Sequence, residues 1–322
     1  MKICFYQGVP GQKKPWLKKL EHNLFTLFVC CYQWPAVMLH SLFCKSGKRY
    51  EHEVGVCLIF KNEARFLREW LEYHLLIGVD HFYLYNNNSD DNFREVLEPY
   101  IRRGLVTLIE WPQNYAQQAA YRDCHERTKS HVHWMGYIDA DEFVNLHKEN
   151  NIKDFLHHFH RYPSVNLHWR DFGTSGHPTE EGLCTERYVA AWPCLCHMGK
   201  GFLNNDYNFM RVWIHEHWAK WGPIRLYPVA DNKLPVPYAP TLWQNCGIGK
   251  RAYLNHYFTK SREWYIYKDL QRESVNDPDD EPIKKMAGRF ELHELKCTVH
   301  DYSIQRWLTL LKERMAASEK GE

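Results

Sequence analysis

The most constraining feature of this sequence is an apolar segment that runs directly into a cluster of acidic residues. The segment covers residues 133–138, and Asp139, Asp141 and Glu142 follow it. The apolar run predicts a buried strand, and side chains two apart on an extended chain point the same way. Two carboxylates at one point suit a hard cation such as Mg²⁺ or Mn²⁺. Taken alone the pattern is more often a solvated acidic turn, so the rest of the chain has to decide.

A regular alternation of strand and helix patterns begins at residue 54. Buried-strand patterns cover 54–60, 81–85, 105–110 and 132–138, and helical patterns cover 64–77, 93–103 and 116–129. Strands that alternate with helices predict an α/β fold with a mostly parallel sheet flanked by helices. After residue 143 the alternation fades, and aromatic residues, glycine and proline become frequent. We therefore expect an irregular, aromatic-rich C-terminal part. A strand is still expected over 211–217 and a helix over 261–270.

Polar side chains follow three of these strands at the point where each strand ends. In a parallel sheet the carboxyl ends lie along one edge, which is where ligands bind. The sequence contains no glycine-rich dinucleotide loop and no Walker lysine loop, so a bound diphosphate would need a metal. The pattern therefore favours a nucleotide-sugar enzyme that uses Mn²⁺ or Mg²⁺. The residues expected to contact the donor at this edge are Lys61, Asn62, Glu63, Asn88, Ser89, Asp91 and Asp139.

Composition narrows the class of protein and its surroundings. The 322 residues are 44% apolar and 25% charged, which is ordinary for a globular protein. A net charge of +2 argues against nucleic acid as a partner. The 13 Trp and 20 Tyr suit a sugar-binding surface, although such rings also simply fill cores. The 11 cysteines are odd in number and scattered, so we expect reduced thiols in a cytosolic protein.

The first 50 residues differ from those that follow. Four lysines, at positions 13, 14, 18 and 19, precede an apolar run over 24–43 that contains Gln33 and Pro35. A central proline beside polar groups counts against a membrane span. The pattern is typical of a helix on a membrane surface, and a helix packed on the catalytic domain explains it equally well. We expect a cytoplasmic protein with peripheral contact on the inner face of the membrane, and a membrane anchor is the alternative.

Six short segments resemble glycosyltransferase family 92 and its bacterial family-2-like relatives, in the family's order. They are residues 56–64, 68–74, 78–85, 139–143, 169–177 and 255–261. The resemblance implies a GT-A fold, a UDP-sugar donor, a divalent cation and inversion at the anomeric carbon. Galactosyl transfer is common in the family. The region 197–225 departs from the family pattern and leaves the acceptor and the third metal ligand open.

The resemblance also implies a metal site with a late histidine. The expected ligands are Asp139, Asp141, His256 and His217. For each histidine taken singly, a satisfied core position is somewhat more common than a ligand. Lys260 lies at a strand-to-helix junction and is expected to approach the diphosphate, although that junction is also typical of simple capping.

An inverting transfer needs a general base that takes the proton from the attacking acceptor hydroxyl. The residues expected to supply it are Glu186, Asp171 and His177, with Glu186 preferred. For a glutamate, however, a surface salt bridge is the commoner role.

The leading interpretation is hexosyl transfer from a UDP-sugar to an oligosaccharide or glycolipid acceptor, in the synthesis of surface polysaccharide or glycoconjugate. A non-catalytic glycan-binding protein on a degenerate transferase fold is the alternative. An Asp-x-Asp phosphohydrolase ranks lower, because those enzymes carry the pair at the first strand. The expected division is an extension over 1–50, a catalytic domain over 51–272 and a helical extension over 273–322.

Overall fold

The computed structural model describes residues 3–4, 15–43, 49–114, 116–196, 198–215, 217–236, 249–271 and 288–319. The helices are α1 (Pro15–Phe43), α2 (Ala64–Leu76), α3 (Phe93–Arg102), α4 (Gln117–Thr128), α5 (Ile152–His157), α6 (Cys184–Arg187), α7 (Arg262–Tyr265), α8 (Arg289–Lys296) and α9 (Leu308–Glu319). A π-helix (Ile266–Gln271) follows α7 directly, and a 3-10 helix (Ser303–Trp307) leads into α9.

The longer strands are β2 (His52–Phe60), β3 (His81–Asn86), β4 (Val106–Glu110), β5 (Val132–Tyr137), β6 (Glu142–Leu146), β7 (Ser164–Asp171), β10 (Gly199–Asn204), β11 (Asn208–Val212), β12 (His217–Trp221) and β15 (Ala252–His256). The short strands are β1 (Ile3–Cys4), β8 (Ala190–Ala191), β9 (Leu195–Cys196), β13 (Ile224–Leu226), β14 (Val229–Ala230) and β16 (Val299–His300).

A nine-stranded sheet forms the centre of the molecule, in the order β4-β3-β2-β5-β10-β7-β15-β6, with β14 paired to β7. Strands β2, β3, β4 and β5 are parallel, and helical crossovers connect them. Strand β10 runs antiparallel between β5 and β7, and β15 runs parallel to β7 and antiparallel to β6. The predicted α/β fold, with a mostly parallel sheet flanked by helices, is confirmed.

The sheet core forms because its central strands are apolar on both faces. Residues 54–60 of β2 are all buried, as expected for a parallel strand covered by helices on each side. From α2, Leu67, Trp70 and Leu71 pack fully buried against this core at helical spacing. Each such side chain stabilises the fold by about 1.5–3 kcal/mol. The core therefore lies between the parallel strands and the helices that cover them.

Helix α1 lies against the small sheet formed by β11, β12 and β13. Its inner side buries Ala36 and Val37, and the side chain of Gln33 makes two hydrogen bonds to the backbone of Tyr227. The segment Asn23–Phe43 is also long and apolar enough to cross a membrane, and 33% of its most apolar window is buried inside the protein. Packing on the domain, which the sequence left as one of three possibilities, is therefore present.

Three expectations are corrected by the structure. The single strand expected over 211–217 is wrong, because β11 ends at Val212 and β12 begins at His217, with a turn between them. The helix expected over 261–270 is instead the short α7 followed by a π-helix. The expectation that all cysteines are reduced is wrong at Cys194, which is disulfide-bonded. Cysteines that do remain free thiols include Cys30, Cys31, Cys57, Cys124, Cys184 and Cys297. The division at residues 50 and 272 stays a prediction.

Candidate active site

The two aspartates of the acidic cluster lie in the turn between β5 and β6, not on an extended strand. The backbone N–H of Glu142 donates to the carbonyl of Asp139 over 3.0 Å and closes the turn. The indole Nε1 of Trp70, from α2, donates to the carbonyls of Asp139 and Glu142. The extended-chain geometry assumed for Asp139 and Asp141 is therefore wrong, and the two carboxylates have different partners.

Asp139 is held by side chains from α4 and β10. Its Oδ1 accepts hydrogen bonds from the hydroxyl of Tyr121 (2.8 Å) and from Nε2 of Gln117 (2.9 Å). Its Oδ2 lies 2.8 Å from Nζ of Lys200, a side chain that is 1% exposed. Burial lowers the pKa of Lys200, but Asp139 and Glu142 outweigh this effect and raise it above the ordinary value. Asp139 is thus the counter-ion of a buried lysine.

Glu142 lies buried behind Asp139. Its Oε2 accepts from the backbone N–H of Asp139 over 2.9 Å, and its Oε1 has no hydrogen-bond partner among the described residues. Burial raises the pKa of Glu142 to about 8, and the charge of Lys200 opposes that rise. Glu142 therefore closes the turn from its buried side.

Asp141 forms a second group with His256, at the end of β15. Asp141 is 5% exposed, and its Oδ2 lies 3.9 Å from Nε2 of His256 and is paired with Lys268. Nδ1 of the same ring lies 2.7 Å from Oδ1 of Asp171, which keeps Nε2 directed at Asp141. Burial raises the pKa of Asp141, but Lys268 and His256 outweigh it and hold the pKa well below its usual range.

The pair of Asp141 and His256 fits a divalent cation better than the predicted pair of aspartates. Their ligand atoms, 3.9 Å apart, can reach one ion, because metal–ligand distances are about 2.1 Å. Histidines that bind metals commonly give the other ring N–H to a carboxylate, as His256 does to Asp171. Asp139 does not converge with them. Within the described parts of the chain, the three-ligand group that meets within 4.8 Å is His293, Glu294 and Cys297.

The loops after β2 and β3 form one hydrogen-bonded unit. The backbone N–H of Asn62 donates to Oγ of Ser89, and the N–H of Asp90 donates to Oδ1 of Asn62, each over 2.9 Å. Oδ2 of Asp91 accepts from the N–H of Ala64 at the start of α2 over 2.8 Å. Asp91 therefore caps a helix. Hydrogen bonds therefore join the two loops that are predicted to contact the nucleotide.

Three predicted donor-binding residues have a left-handed backbone conformation. Asn62 (φ 54°), Asn88 (φ 55°) and Lys260 (φ 49°) are three of the five non-glycine residues with positive φ in the described chain. Asparagine tolerates this conformation, whereas for lysine it is strained. Such strain clusters at ligand clamps and active sites. Asn88 is exposed and Lys61 is half-buried, so both lie at the surface of this unit.

Lys260 lies inside the protein rather than in open solvent. It is 0% exposed, and its Nζ lies 3.3 Å from Oε2 of Glu63 and 3.6 Å from the ring centroid of Phe66. Glu63 precedes α2, so this ion pair links the loop after β2 to the end of β15. Lys260 and Glu63, both predicted to bind the donor, therefore form an ion pair with each other.

Consecutive residues of the π-helix connect the two halves of the site. The hydroxyl of Tyr267 accepts a hydrogen bond from Nδ2 of Asn62 over 2.8 Å, and Lys268 pairs with Asp141. π-Helices are rare and occur frequently at functional sites. The π-helix thus contacts both the turn that carries the aspartates and the loop after β2.

The three predicted catalytic residues lie in three separate environments. Asp171 is bound to His256, which gives it a positioning role. Glu186, on α6, forms a 2.6 Å ion pair with Lys312 of α9. Nδ1 of His177 accepts a hydrogen bond from Nη2 of Arg187 over 2.9 Å. None of the described contacts of Glu186 or His177 reaches the turn between β5 and β6, and the identity of the general base stays a prediction.

His217 makes no described contact with either aspartate. It is 1% exposed, and neither ring nitrogen has a hydrogen-bond partner among the described residues. Its ring lies 5.5 Å from that of Tyr137, and burial, together with Lys200, lowers its pKa to about 3. His217 is therefore a neutral core histidine in this structure. Its role as a metal ligand stays a prediction, and the geometry favours His256.

Residues that the sequence analysis did not assign to the site supply most of the partners of the two aspartates. They are Gln117, Glu142, Lys200 and Lys268. Lys200 had a readable signal, since it stands between Gly199 and Gly201 in a buried strand, where a charge needs a partner. A Cβ on Gly199 would lie 2.0 Å from the carbonyl oxygen of Leu167, so only glycine fits there. Lys268 sits in an ordinary helical pattern and had no such signal.

Comparison with known families decides the class of this protein. The model that matches is that of glycosyltransferase family 92, over residues 52–233. The chain belongs to glycosyltransferase family 92. The match includes the turn between β5 and β6 and the buried Lys200, whereas His256, Lys260 and Lys268 lie beyond it.

Relatives within family 92 and beyond match parts of the chain. A family 92 protein of Oryza sativa subsp. japonica is 37% identical over 136 residues, which are 41% of this chain and 23% of that protein. Galactan beta-1,4-galactosyltransferase GALS1 of Arabidopsis thaliana is 30% identical over 169 residues, which are 46% of this chain and 32% of that protein. The chain thus spans about a quarter to a third of these relatives. The solved structure of S. aureus TarS 1-349 is 10% identical, with a TM-score of 0.34 over 48% of this chain and 47% of that one.

Proposed function

We propose that this protein is a metal-dependent, inverting hexosyltransferase that moves a sugar from a UDP-sugar to an oligosaccharide or glycolipid acceptor in surface glycan synthesis. Membership of family 92 supports glycosyl transfer, and the similarity to GALS1 makes galactose the first sugar to test. The observation that carries the proposal is the buried carboxylate of Asp141 facing His256, whose ring Asp171 orients.

The charges of the site suit a nucleoside diphosphate. Lys200, Lys260 and Lys268 each lie against a carboxylate at the same edge of the sheet. A diphosphate beside these lysines would give each buried charge a partner of opposite sign, which a buried charge requires. A divalent cation held by Asp141 and His256 would neutralise the charge that develops on the departing UDP. Asp171 keeps Nε2 of His256 directed at Asp141, and Asn62 lies in the loop that is expected to contact the nucleotide.

The test is release of UDP from a panel of UDP-hexoses in the presence of Mn²⁺. Asp141→Asn removes the negative charge while keeping the shape of the side chain. We expect its UDP release to fall roughly 100-fold or more, because a cation at this position supplies several kcal/mol of transition-state stabilisation. The anomeric configuration of the product, read by proton NMR, tests inversion.

Asp154→Asn is the matched control, because Asp154 is an exposed carboxylate in the first turn of α5. It should behave as wild type in activity and thermal unfolding. Wild-type turnover in a folded Asp141→Asn variant would defeat the metal assignment. Glycan binding by wild-type protein that binds neither UDP-sugar nor Mn²⁺ would favour the non-catalytic alternative.

We also infer peripheral membrane contact through the outer side of α1. Leu24, Phe28 and Leu42 recur on that side and are 58%, 62% and 65% exposed, while the inner side is bonded to the domain. A helix fixed in this way can lie in a membrane interface without crossing it. Location of the protein on the cytoplasmic side of the membrane remains a prediction. The disulfide bond at Cys194 favours an oxidising compartment instead.

Sedimentation with anionic lipid vesicles tests this contact. Phe28→Asp should weaken vesicle binding roughly tenfold or more, because an apolar ring of this size contributes about 1.5–3 kcal/mol when buried. Leu295→Asp is the control, since Leu295 is 75% exposed on α8 and away from α1. Equal binding by both variants and wild type would remove α1 from any membrane contact.

A further inference from the structure

Strands β11, β12 and β13 form a small antiparallel sheet whose two faces differ. Its inner face packs Ala219 and Leu226 against α1. The cross-strand pairs Arg211 with Trp218 and Lys220 with Arg225 put a different set of side chains on the other side. This outer face carries Arg211, Trp213, Trp218, Lys220 and Arg225.

The arginines of the outer face are stacked on indole rings. The guanidinium carbon of Arg211 lies 3.3 Å from the ring centroid of Trp213 and 4.7 Å from that of Trp218. The guanidinium carbon of Arg225 lies 4.3 Å from the centroid of Trp218. Stacking holds a guanidinium group by its plane and leaves the N–H edge available to another partner. Two arginines are thereby preorganised around one indole.

The protein does not neutralise this face. In the described chain, Arg211, Lys220 and Arg225 take part in no ion pair and no hydrogen bond through their side chains, in contrast to the buried lysines of the candidate active site. Lys220 and Arg225 are exposed, and Arg211 is half-buried. Planar guanidinium groups in this state match carboxylates, which they bind with two parallel hydrogen bonds.

Aromatic contacts connect the outer face with the candidate active site. The ring of Trp169 stacks on His256 with centroids 4.3 Å apart and meets His215 edge-on at 5.1 Å. His215 lies in the connection from β11 to β12, two residues after Trp213. The connection from β11 to β12 therefore contacts the candidate active site through His215 and carries Trp213 of the outer face.

We propose that the outer face is a subsite for the acceptor chain and that it binds an anionic glycan whose carboxylates belong to uronic acid residues. The proposal rests on the proposed glycosyltransferase function. The guanidinium edges of Arg211 and Arg225 would pair with uronate carboxylates, and the exposed indole of Trp213 offers an apolar surface to the sugar rings. Unpaired cations, stacked arginines and continuity with the site all point to this ligand class.

The experiment compares oligogalacturonate with its methyl ester, which has the same sugar backbone without the charge. Binding to the full-length protein is measured by calorimetry. We expect at least tenfold tighter binding of the acid form, and weaker binding at higher salt. Arg225→Gln and Lys220→Gln should each weaken it roughly fivefold to tenfold, since each removes a charge-assisted contact. Arg103→Gln, an exposed arginine at the end of α3, removes the same charge elsewhere and should change nothing.

Equal binding of the acid and the ester, or unchanged binding by Arg225→Gln and Lys220→Gln, would overturn the proposal. So would binding of phosphatidylserine vesicles without binding of oligogalacturonate, which would assign the outer face to a membrane. Wild-type UDP release is measured separately. Its absence alongside selective, variant-sensitive oligogalacturonate binding would count against glycosyl transfer and leave the anionic-glycan subsite in place.

Discussion

At the scale of single residues, the candidate site consists of carboxylates whose partners come from distant parts of the chain. Lys268 pairs with Asp141 across 127 positions of sequence. The sequence indicated Asp141 because it follows a recognisable strand. It indicated both Asp141 and His256 because each lies in a segment that resembles glycosyltransferase family 92. It could not point to Lys268, because a counter-ion for a buried carboxylate can come from any element that the fold brings near.

His133, at the start of β5, supplies a pH-dependent prediction. Its Nδ1 lies 2.8 Å from Glu53 and its Nε2 lies 3.5 Å from Asp206. Burial lowers the pKa of His133, but these carboxylates outweigh it and raise the pKa to about 9. An unfolded histidine has a pKa of about 6.5, so this stabilisation is complete below that pH and is lost as the pH rises to about 9.

The free energy of unfolding should therefore fall by on the order of 2 kcal/mol between about pH 6 and about pH 9.5, as measured by urea unfolding. His133→Gln should abolish most of that slope. A variant that keeps the full slope would show that other groups cause it.

At the scale of elements, the parallel half of the sheet was predictable and the other half was not. Strands predicted over 54–60 and 132–138 are β2 and β5 with ends shifted by one or two residues. Such strands are buried on both faces, so a continuous apolar run is a strong signal. The sequence predicts one strand over 211–217, where the structure has the turn between β11 and β12, because this turn contains neither glycine nor proline.

The docking of α1 can be tested at Gln33. Gln33 is 0% exposed, its Nε2 donates to the carbonyl of Tyr227 (3.0 Å), and its Oε1 accepts from the N–H of Tyr227 (2.8 Å). Gln33→Ala leaves two buried backbone groups unpaired, at about 1–3 kcal/mol each. We expect amide exchange over residues 26–40 to accelerate roughly tenfold to a hundredfold, with β2 and β5 still protected.

Trp34→Ala is the control for this prediction, because Trp34 is the next residue and is 48% exposed. Its amide exchange over residues 26–40 should match that of wild type. If Gln33→Ala also matches wild type, the two hydrogen bonds between Gln33 and Tyr227 do not hold α1 in place.

At the scale of the whole molecule, the C-terminal segment is packed into the main core. Ile304, Trp307 and Leu311 are 2%, 8% and 0% exposed and belong to the central cluster. Arg314 pairs with the buried Glu72 of α2 over 3.0 Å. A sequence pattern does not reveal that a late helix returns to the core, and the division expected at residue 272 stays a prediction.

Truncation after residue 303 should therefore destabilise the whole protein rather than trim an appendage. Each large buried side chain that is removed costs about 2–5 kcal/mol, so we expect a loss of more than about 5 kcal/mol in urea unfolding, with aggregation. Truncation after residue 316 keeps the 3-10 helix, Leu311 and Arg314, and should stay within about 1 kcal/mol of wild type. Equal stability of the two shortened proteins would establish the C-terminal segment as a separate unit.

Strand β15 lies between β7 and β6 although it follows both in the chain. While the protein is being synthesised, β6 has no neighbour in the described sheet until residues 252–256 leave the ribosome, and residues 169–171 of β7 stay unpaired on one side. Bare strand edges invite aggregation, so the nascent chain needs protection during that interval. Asp141 also lacks His256 as its neighbour until β15 has been synthesised. The proposed cation site would consequently form in one late step of folding.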